Sequence, residues 1–399
     1  MRKIFHAKGM NVFAALLLLK GAFAQDKTLN KFGKGIQIIA VDSSFSMKFS
    51  TRIQTLLVAE APLTDQFESS DVSTSMQIRR ARLKFDGFAY SKNVQYKIEL
   101  GLTNSDIGNP VSQGSNASNI MLDAIVDWNF YKNFSIVVGQ TKLPGNRERV
   151  ISSQALQFVD RSLLNSQYNI DRDLGIHLKH NFKIGSLVIR EIACVTQGEG
   201  RNITKGNEGG YDYTGRIEFL PFGEFSGKGD YFSSDLLREA KPKLALGFTY
   251  DSNDRASKQK GQLGSIMAEK RTLKAIFADL MFKYKGFSIM AEYCDKQSER
   301  TPVISYDTDG NPDKSFFTGK GYNFQMGYLM KNNWELAGRY TYIEPEKITG
   351  FKNEMQYTLG VSKYVVGHNL KFQSDISLLE EEGNPDPGLM LRFQVELAF

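Results

Sequence analysis

An all-β fold, a transmembrane antiparallel β-barrel of about 16 strands, is what this sequence of 399 residues predicts. Three observations predict it. Apolar and polar residues alternate along short segments from Phe45 to the last residue. The connections between those segments alternate between long and short, as in outer-membrane barrels with brief inner turns and larger outer loops. Beyond the N-terminus no apolar run is long enough for a membrane-crossing helix.

The last strand shows the pattern most plainly. Leu389, Leu391, Phe393, Val395, Leu397 and Phe399 form one apolar face, and Met390, Arg392, Gln394, Glu396 and Ala398 form the other. Side chains alternate across a strand, so one face meets lipid and the other tolerates water. A soluble sandwich strand has the same local pattern. Repetition along the whole chain, with alternating connection lengths, favours the closed barrel, since lipid tolerates no open sheet edge.

The chain opens with a secretory signal over residues 1–24. Arg2, Lys3 and Lys8 precede the apolar run Val12 to Leu19, Lys20 closes it, and Ala22-Phe23-Ala24 offers a small-x-small cleavage site before Gln25. Residues 25–44 read as an N-terminal periplasmic segment and 45–399 as the barrel. Removing the signal's four cations lowers the formal net charge from +6 to +2, so the chain is not a strongly basic protein seeking nucleic acid. Cys194 and Cys294 are the only cysteines; they read as two thiols on separate strands, with a single disulfide as the alternative, and no zinc or redox spacing occurs.

Strands follow in order. Phe45 to Gln54 alternates, a polar stretch runs to Asp71, and Ala81, Leu83 and Phe85 oppose Arg80, Arg82, Lys84 and Asp86. Ser91 to Asn93 reads as a short turn before Val94 to Leu102. Further pairs turn at Tyr131 to Asn133, Lys285-Gly286, Lys331 to Asn333 and Gly367 to Asn369. The strand Leu187 to Val195 is too mixed to assign its faces. Residues 221–241 break the rhythm, with a helical turn expected around Ser234 to Ala240. Residues 252–271 and 301–318 read as long outer loops.

A Lys or Arg facing lipid at the midplane costs about 2–4 kcal/mol. Alternation therefore points Lys48, Arg52, Arg80, Arg82, Lys84 and Arg216 into the lumen, beside acids such as Asp86 and Glu218. Many such charges form Arg–carboxylate pairs with no transport role. Arg80, Arg82 and Lys84 differ in standing two apart on one face, a vertical cationic strip if unpaired. Segment 141–172 carries Arg147, Arg149, Arg161 and Arg172 together with Val150, Ile151, Leu156, Phe158, Val159, Leu163 and Leu164. That apolar content suits a constriction loop packed on the barrel wall, or else an outer loop packed on its neighbours.

At Arg79-Arg80-Ala81-Arg82-Leu83, Gly139-Gln140-Thr141-Lys142-Leu143-Pro144, Leu156 to Leu163 and Asp171-Arg172-Asp173-Leu174-Gly175 the chain resembles the phosphate-selective porin O and P family. The resemblance implies a trimeric barrel of about 16 strands in the outer membrane of a Gram-negative bacterium. It implies a third outer loop folded inward and an arginine-lined anion path, carried here onto Arg80 and Arg82 and also Arg161 and Arg172. It also implies that Phe399 is read by the barrel-assembly machinery. The chain departs from the family pattern at Gly145-Asn146, where many relatives have an aromatic, and at Leu164, where proline is common.

The expected function is passive, anion-preferring diffusion of small solutes, with phosphate the leading candidate and a homotrimer in outer-membrane lipid the expected state. A non-conducting structural or partner-binding barrel is the alternative. Catalysis has little to build on: only His177, His180 and His368 remain after the signal, and a nucleophile needs an adjacent base. No cofactor or metal is expected.

Overall fold

The computed structural model describes residues 32–64, 71–107, 119–203 and 207–399; the signal expected over residues 1–24 lies outside them. The chain begins with β1 (Ile36–Ile39), β2 (Phe45–Pro62), β3 (Ser73–Ala89), β4 (Ser91–Gly101), β5 (Met121–Tyr131) and β6 (Phe134–Lys142). β7 (Arg172–Ile184), β8 (Leu187–Thr196), β9 (Asp212–Leu220), β10 (Lys243–Lys258), β11 (Ile266–Tyr284) and β12 (Phe287–Ser298) come next. The remainder comprises β13 (Val303–Tyr306), β14 (Pro312–Ser315), β15 (Gly319–Leu329), β16 (Trp334–Pro345), β17 (Glu354–Tyr364), β18 (Leu370–Glu381) and β19 (Gly388–Ala398).

Consecutive strands pair antiparallel from β2 to β12 and on through β15 to β19. β19 then pairs back onto β2, from Gly388↔Pro62 to Ala398↔Arg52, and closes a barrel of 16 strands. β13 and β14 make a separate hairpin in the connection after β12. β1 is an extra strand, paired with the start of β2 from Ile36↔Phe49 to Ile39↔Ser46, so part of segment 25–44 joins the sheet.

Period two sets the two faces. Along β15, Tyr322, Phe324, Met326 and Tyr328 are exposed, whereas Asn323, Gln325 and Gly327 are buried. An exposed apolar face and a buried polar one are the inverse of a soluble sheet, and they suit a wall between lipid and a hydrated interior. Every barrel connection at one end is brief except that from β9 to β10. Tyr90 alone joins β3 to β4, and Lys132-Asn133, Gly185-Ser186 and Lys285-Gly286 serve other hairpins.

Several boundaries differ from the alternation. β2 continues to Pro62 through the stretch expected to be loop, and the β3–β4 reversal sits at Tyr90 rather than at Ser91 to Asn93. β10 runs to Lys258 and β11 starts at Ile266, leaving only residues 259–265 of the expected outer loop 252–271. The cause is a pair of register shifts between Asn253 and Lys258, with Arg255 at φ 48°. Each bulge inverts the parity of the residues beyond it and hides a strand from a period-two reading. No helix forms at Ser234 to Ala240, but a single turn does: the Arg238 amide donates to the Asp235 carbonyl at 3.0 Å and the Glu239 amide to the Asp235 carboxylate at 3.1 Å. Short 3₁₀ turns on either side of a kink at Gly227 and Lys228 precede it over Ser226–Tyr231. Ser234 bonds Glu335 on the barrel wall, and Asp235 accepts from the Gly286 amide in the β11–β12 turn.

Two apolar clusters lie against the inner face. Leu143, Leu164, Tyr168 and Ile170 from the β6–β7 connection pack on Cys194, Ala275, Phe277, Cys294, Phe317 and Ile343. Ile151, Ala155 and Leu156 pack on Val188, Leu220, Phe225, Ala245, Met281 and Met290. Inner-face glycines admit this connection. A Cβ on Gly321 would sit 2.8 Å from Leu164 Cδ1, and one on Gly360 would sit 2.9 Å from the Phe158 ring.

Candidate ion path

The clusters crowd β8 to β12, and the space that remains lies along the opposite wall. A cavity of about 640 Å³ is lined by residues of β2 to β8 and by Pro144, Val150, Ser152 and Gln154 of the β6–β7 connection, with Asn369, Ala398 and Phe399 at the short-turn end. Nine Lys and Arg side chains reach it: Lys48, Arg52, Arg82, Lys84, Lys97, Lys142, Arg172, Lys179 and Arg190. The carboxylates on the same lining are Glu99, Asp123 and Glu191. A second space of about 470 Å³ shares Lys48, Lys84 and Lys97 and adds Lys92, Asp86 and Asp127, extending the cationic wall toward β1.

Strand register builds this wall. Arg52 stands opposite Arg82 and Ser50 opposite Lys84 across β2 and β3. Lys84 stands opposite Glu99, and Asp86 opposite Lys97, across β3 and β4. Cross-strand neighbours are close enough to interact, so cations and acids interleave. Arg82 donates to Asp106 and, at 3.1 Å, to Glu99. Lys84 pairs with Asp86 at 2.9 Å and Lys97 with Asp123 at 2.7 Å. Arg172 also holds Asp123, at 3.0 Å. Arg52 donates to Ser153 Oγ at 2.7 Å and is 3.8 Å from both Glu99 and Glu396. Lys48 has no ion pair among the described residues.

Of the arginines read from sequence, Arg52, Arg82 and Arg172 line the cavity, as do Lys48 and Lys84. The others lie away from it. Arg80 is 3% exposed and bonds Gln54 Oε1 at 2.9 Å and Asp160 at 3.0 Å, so the three-cation strip is interrupted at its upper end. Arg216 and Arg147 share Asp279 and Glu218 behind the apolar cluster. Arg149 pairs with Asp171. Arg161 donates to the Glu148 and Ile151 carbonyls at 3.0 and 2.8 Å.

Within the β6–β7 connection, burial and then Arg80 push the Arg161 guanidinium down to about 9. Burial alone would raise the Asp160 carboxyl, but Arg80 and Arg79 hold it well below the usual carboxylate range. These charges fasten the connection to the wall. Gln157 extends the attachment, donating to Glu335 at 2.7 Å and Ser288 at 3.1 Å, and the Val159 amide donates to Asp375 at 3.0 Å.

Four lining cations, Lys97, Lys142, Lys179 and Arg190, escaped the sequence reading as site residues, and Lys97 and Arg190 did so for different reasons. Lys97 is on the polar face of a plainly alternating strand, and only its position beside Arg82 marks it. Arg190 is on β8, whose inner face otherwise carries Val188, Ile192 and Cys194, which pack on the inner clusters, and ends at buried Thr196. A wall strand apolar on both faces loses its parity signal.

The sequence profile of the phosphate-selective porin O and P family matches residues 58–387. The chain belongs to that family. This porin is therefore an outer-membrane channel of a Gram-negative bacterium, and its family and fold point to a channel rather than an enzyme. An uncharacterized protein of Aquifex aeolicus (strain VF5) is 24% identical over 305 residues, covering 69% of this porin and 66% of that relative. The anion-selective porin from Comamonas acidovorans superposes with a TM-score of 0.53 at 11% identity, covering 89% of this chain and all of the other (100%). In-vitro folded OmpT of Vibrio cholerae, in its trimer form, superposes at 0.50 with 12% identity, covering 88% and 99%. At such identities the likeness is one of fold.

Proposed function

We propose that this porin gives passive, anion-preferring diffusion of small solutes along the β2–β8 wall, with phosphate the leading candidate. The observation that carries the proposal is the lining: nine Lys and Arg side chains against three carboxylates, in a chain whose mature net charge is nearly balanced. Selectivity then rests on where charges stand. A cation about 8 Å from a passing anion contributes roughly 0.5 kcal/mol at water's dielectric and about 2 kcal/mol at an effective dielectric near 20. Several such cations concentrate anions in the path while each contact stays weak enough to release them.

The β6–β7 connection is the constriction in this reading. Its bonds to β2, β3, β11, β12, β16 and β18 reach around the inner face, so solutes are left the cationic side. The short turns then face the periplasm and the long connections the outside. Assembly as a homotrimer, with Phe399 presented to the barrel-assembly machinery, completes the proposal; the OmpT trimer form has this fold.

The test is reversal potential across a bilayer in a salt gradient, for wild type and for Lys48→Ala with Lys84→Ala. The expected wild type prefers anions, and the double variant loses at least about half of that preference. A cation-preferring wild type would overturn the proposal. A folded protein that passes no current would instead favour the non-conducting barrel.

A further inference from the structure

At the short-turn end, one connection is out of proportion. β9 and β10 are paired neighbours from Leu246↔Phe219 onward, and a two-residue turn suffices to join such strands. Residues 221–242 are used instead. Their bonds go to hairpins far around the barrel. Lys283 on β11 donates to the Gly229 and Ser234 carbonyls at 2.8 and 2.6 Å. Asp235 accepts from the Gly286 amide at 2.7 Å, in the β11–β12 turn. Arg238 donates to the Met330 carbonyl at 2.7 Å, in the β15–β16 turn. Ser234 bonds Glu335 on β16 and the Tyr364 hydroxyl on β17, each at 2.6 Å. Phe232 stacks on His368 in the β17–β18 turn, with centroids 5.5 Å apart.

The same segment is tied to the β6–β7 connection. The Ser233 amide donates to the Ala155 carbonyl at 3.0 Å, and Arg147 donates to the Asp230 carbonyl at 3.3 Å. Phe225 joins the cluster around Ile151 and Leu156. Asp230, Ser233, Ser234 and Asp235 are all at most 1% exposed. The free margin faces the cavity: Arg190 lies over the Tyr231 ring at 5.7 Å and donates to Asp230 at 2.6 Å, and both Arg190 and Tyr231 line the space.

We infer that residues 221–242 form a second constriction, which covers the β9–β18 side of the short-turn mouth and makes solutes pass between the β2–β8 wall and the Arg190–Tyr231 margin. The inference rests on the chain conducting as proposed above. Its chemical content is a size limit and a charge filter for small anions. Tyr231 sets the width. Arg190 masks Asp230 and Glu218, which it contacts at 2.6 and 3.3 Å; without it two carboxylates face the path.

The experiment measures single-channel conductance and reversal potential of the purified full-length porin in planar bilayers. Four forms are compared: wild type, Tyr231→Ala, Tyr231→Trp and Arg190→Gln. A fifth form replaces residues 222–241 with Asn-Gly. Tyr231→Ala raises conductance and Tyr231→Trp lowers it, each by up to about twofold, and the replacement raises it further. Arg190→Gln shifts selectivity toward cations. Unchanged conductance in both folded Tyr231 variants, beside a conducting wild type, overturns the second constriction whether or not the replacement folds. Unchanged selectivity in folded Arg190→Gln overturns the charge filter. A wild type that passes no current overturns the channel reading, and this inference falls with it.

Discussion

At the scale of single residues, the deciding variable is which partner a cation already has. Arg82 reaches the cavity while holding Asp106 and Glu99. Arg82→Ala leaves buried Asp106, and in part half-buried Glu99, without their counter-charge, a change worth about 3–5 kcal/mol when a buried pair is broken. The expected outcome is lower thermal stability, seen in the heat-modifiable band on gels, together with reduced anion preference in reversal potential. Arg80→Ala behaves differently. Arg80 is off the cavity and Asp160 keeps Arg79 at 2.7 Å, so stability falls while anion preference stays within experimental error of wild type. A matching loss of preference in both variants would contradict the assigned lining. Parity alone placed Lys48, Arg52, Arg82 and Lys84 on the inner face. It could not reveal that Arg80 is committed to Asp160, because that partner comes from a connection far along the chain.

Elements show a similar division. Strands obey a local period, so their number and faces were legible wherever lipid lies on one side and polar contacts on the other. The connections obey no period, and their conformations depend on the wall that receives them. Segment 141–172 betrayed itself by apolar residues that a solvated loop does not need, and by the family motifs within it. Segment 221–242 betrayed itself only by length. Where bulges shift register, as between Asn253 and Lys258, even the end of a strand disappears from view. Gly360→Val tests how tightly the wall and the β6–β7 connection fit. The added side chain meets the Phe158 ring, which also carries Arg339 at 4.6 Å. The expected result is a folded barrel with noisier single-channel current and a loss of roughly 1–3 kcal/mol in stability from overpacking. Quiet current and wild-type stability would show that Phe158 has room to move.

For the whole molecule, closure and orientation are the testable properties. Phe399 exchanges backbone bonds with Thr51 at 2.8 and 3.0 Å, beyond the last named pair of β19 and β2. Removing Phe399 deletes those bonds at the seam, and the expected yield of folded barrel in the membrane fraction falls several-fold; normal yield would refute a role in assembly. Orientation is read by trypsin on intact cells. Lys314, exposed in the β13–β14 hairpin, is the expected cut site, whereas exposed Lys331 is spared until the cells are broken. Cleavage at Lys331 alone would invert the barrel. Processing before Gln25 is checked by N-terminal sequencing of the membrane-embedded protein, and retention of Met1 would refute it.

Cys194 and Cys294 belong to one inner cluster, both as unbridged thiols, 3% and 0% exposed. Water-borne alkylating reagents therefore have no native target in the folded porin, and the wild-type chain is already a silent background for reporter chemistry. A single introduced thiol, as in Lys84→Cys or Lys97→Cys, can be titrated from either side of a membrane without first deleting its natural counterparts. Mass spectrometry after treatment with a membrane-impermeant maleimide checks this: the folded wild type should gain no adduct, and the denatured chain should gain two, one for each cysteine.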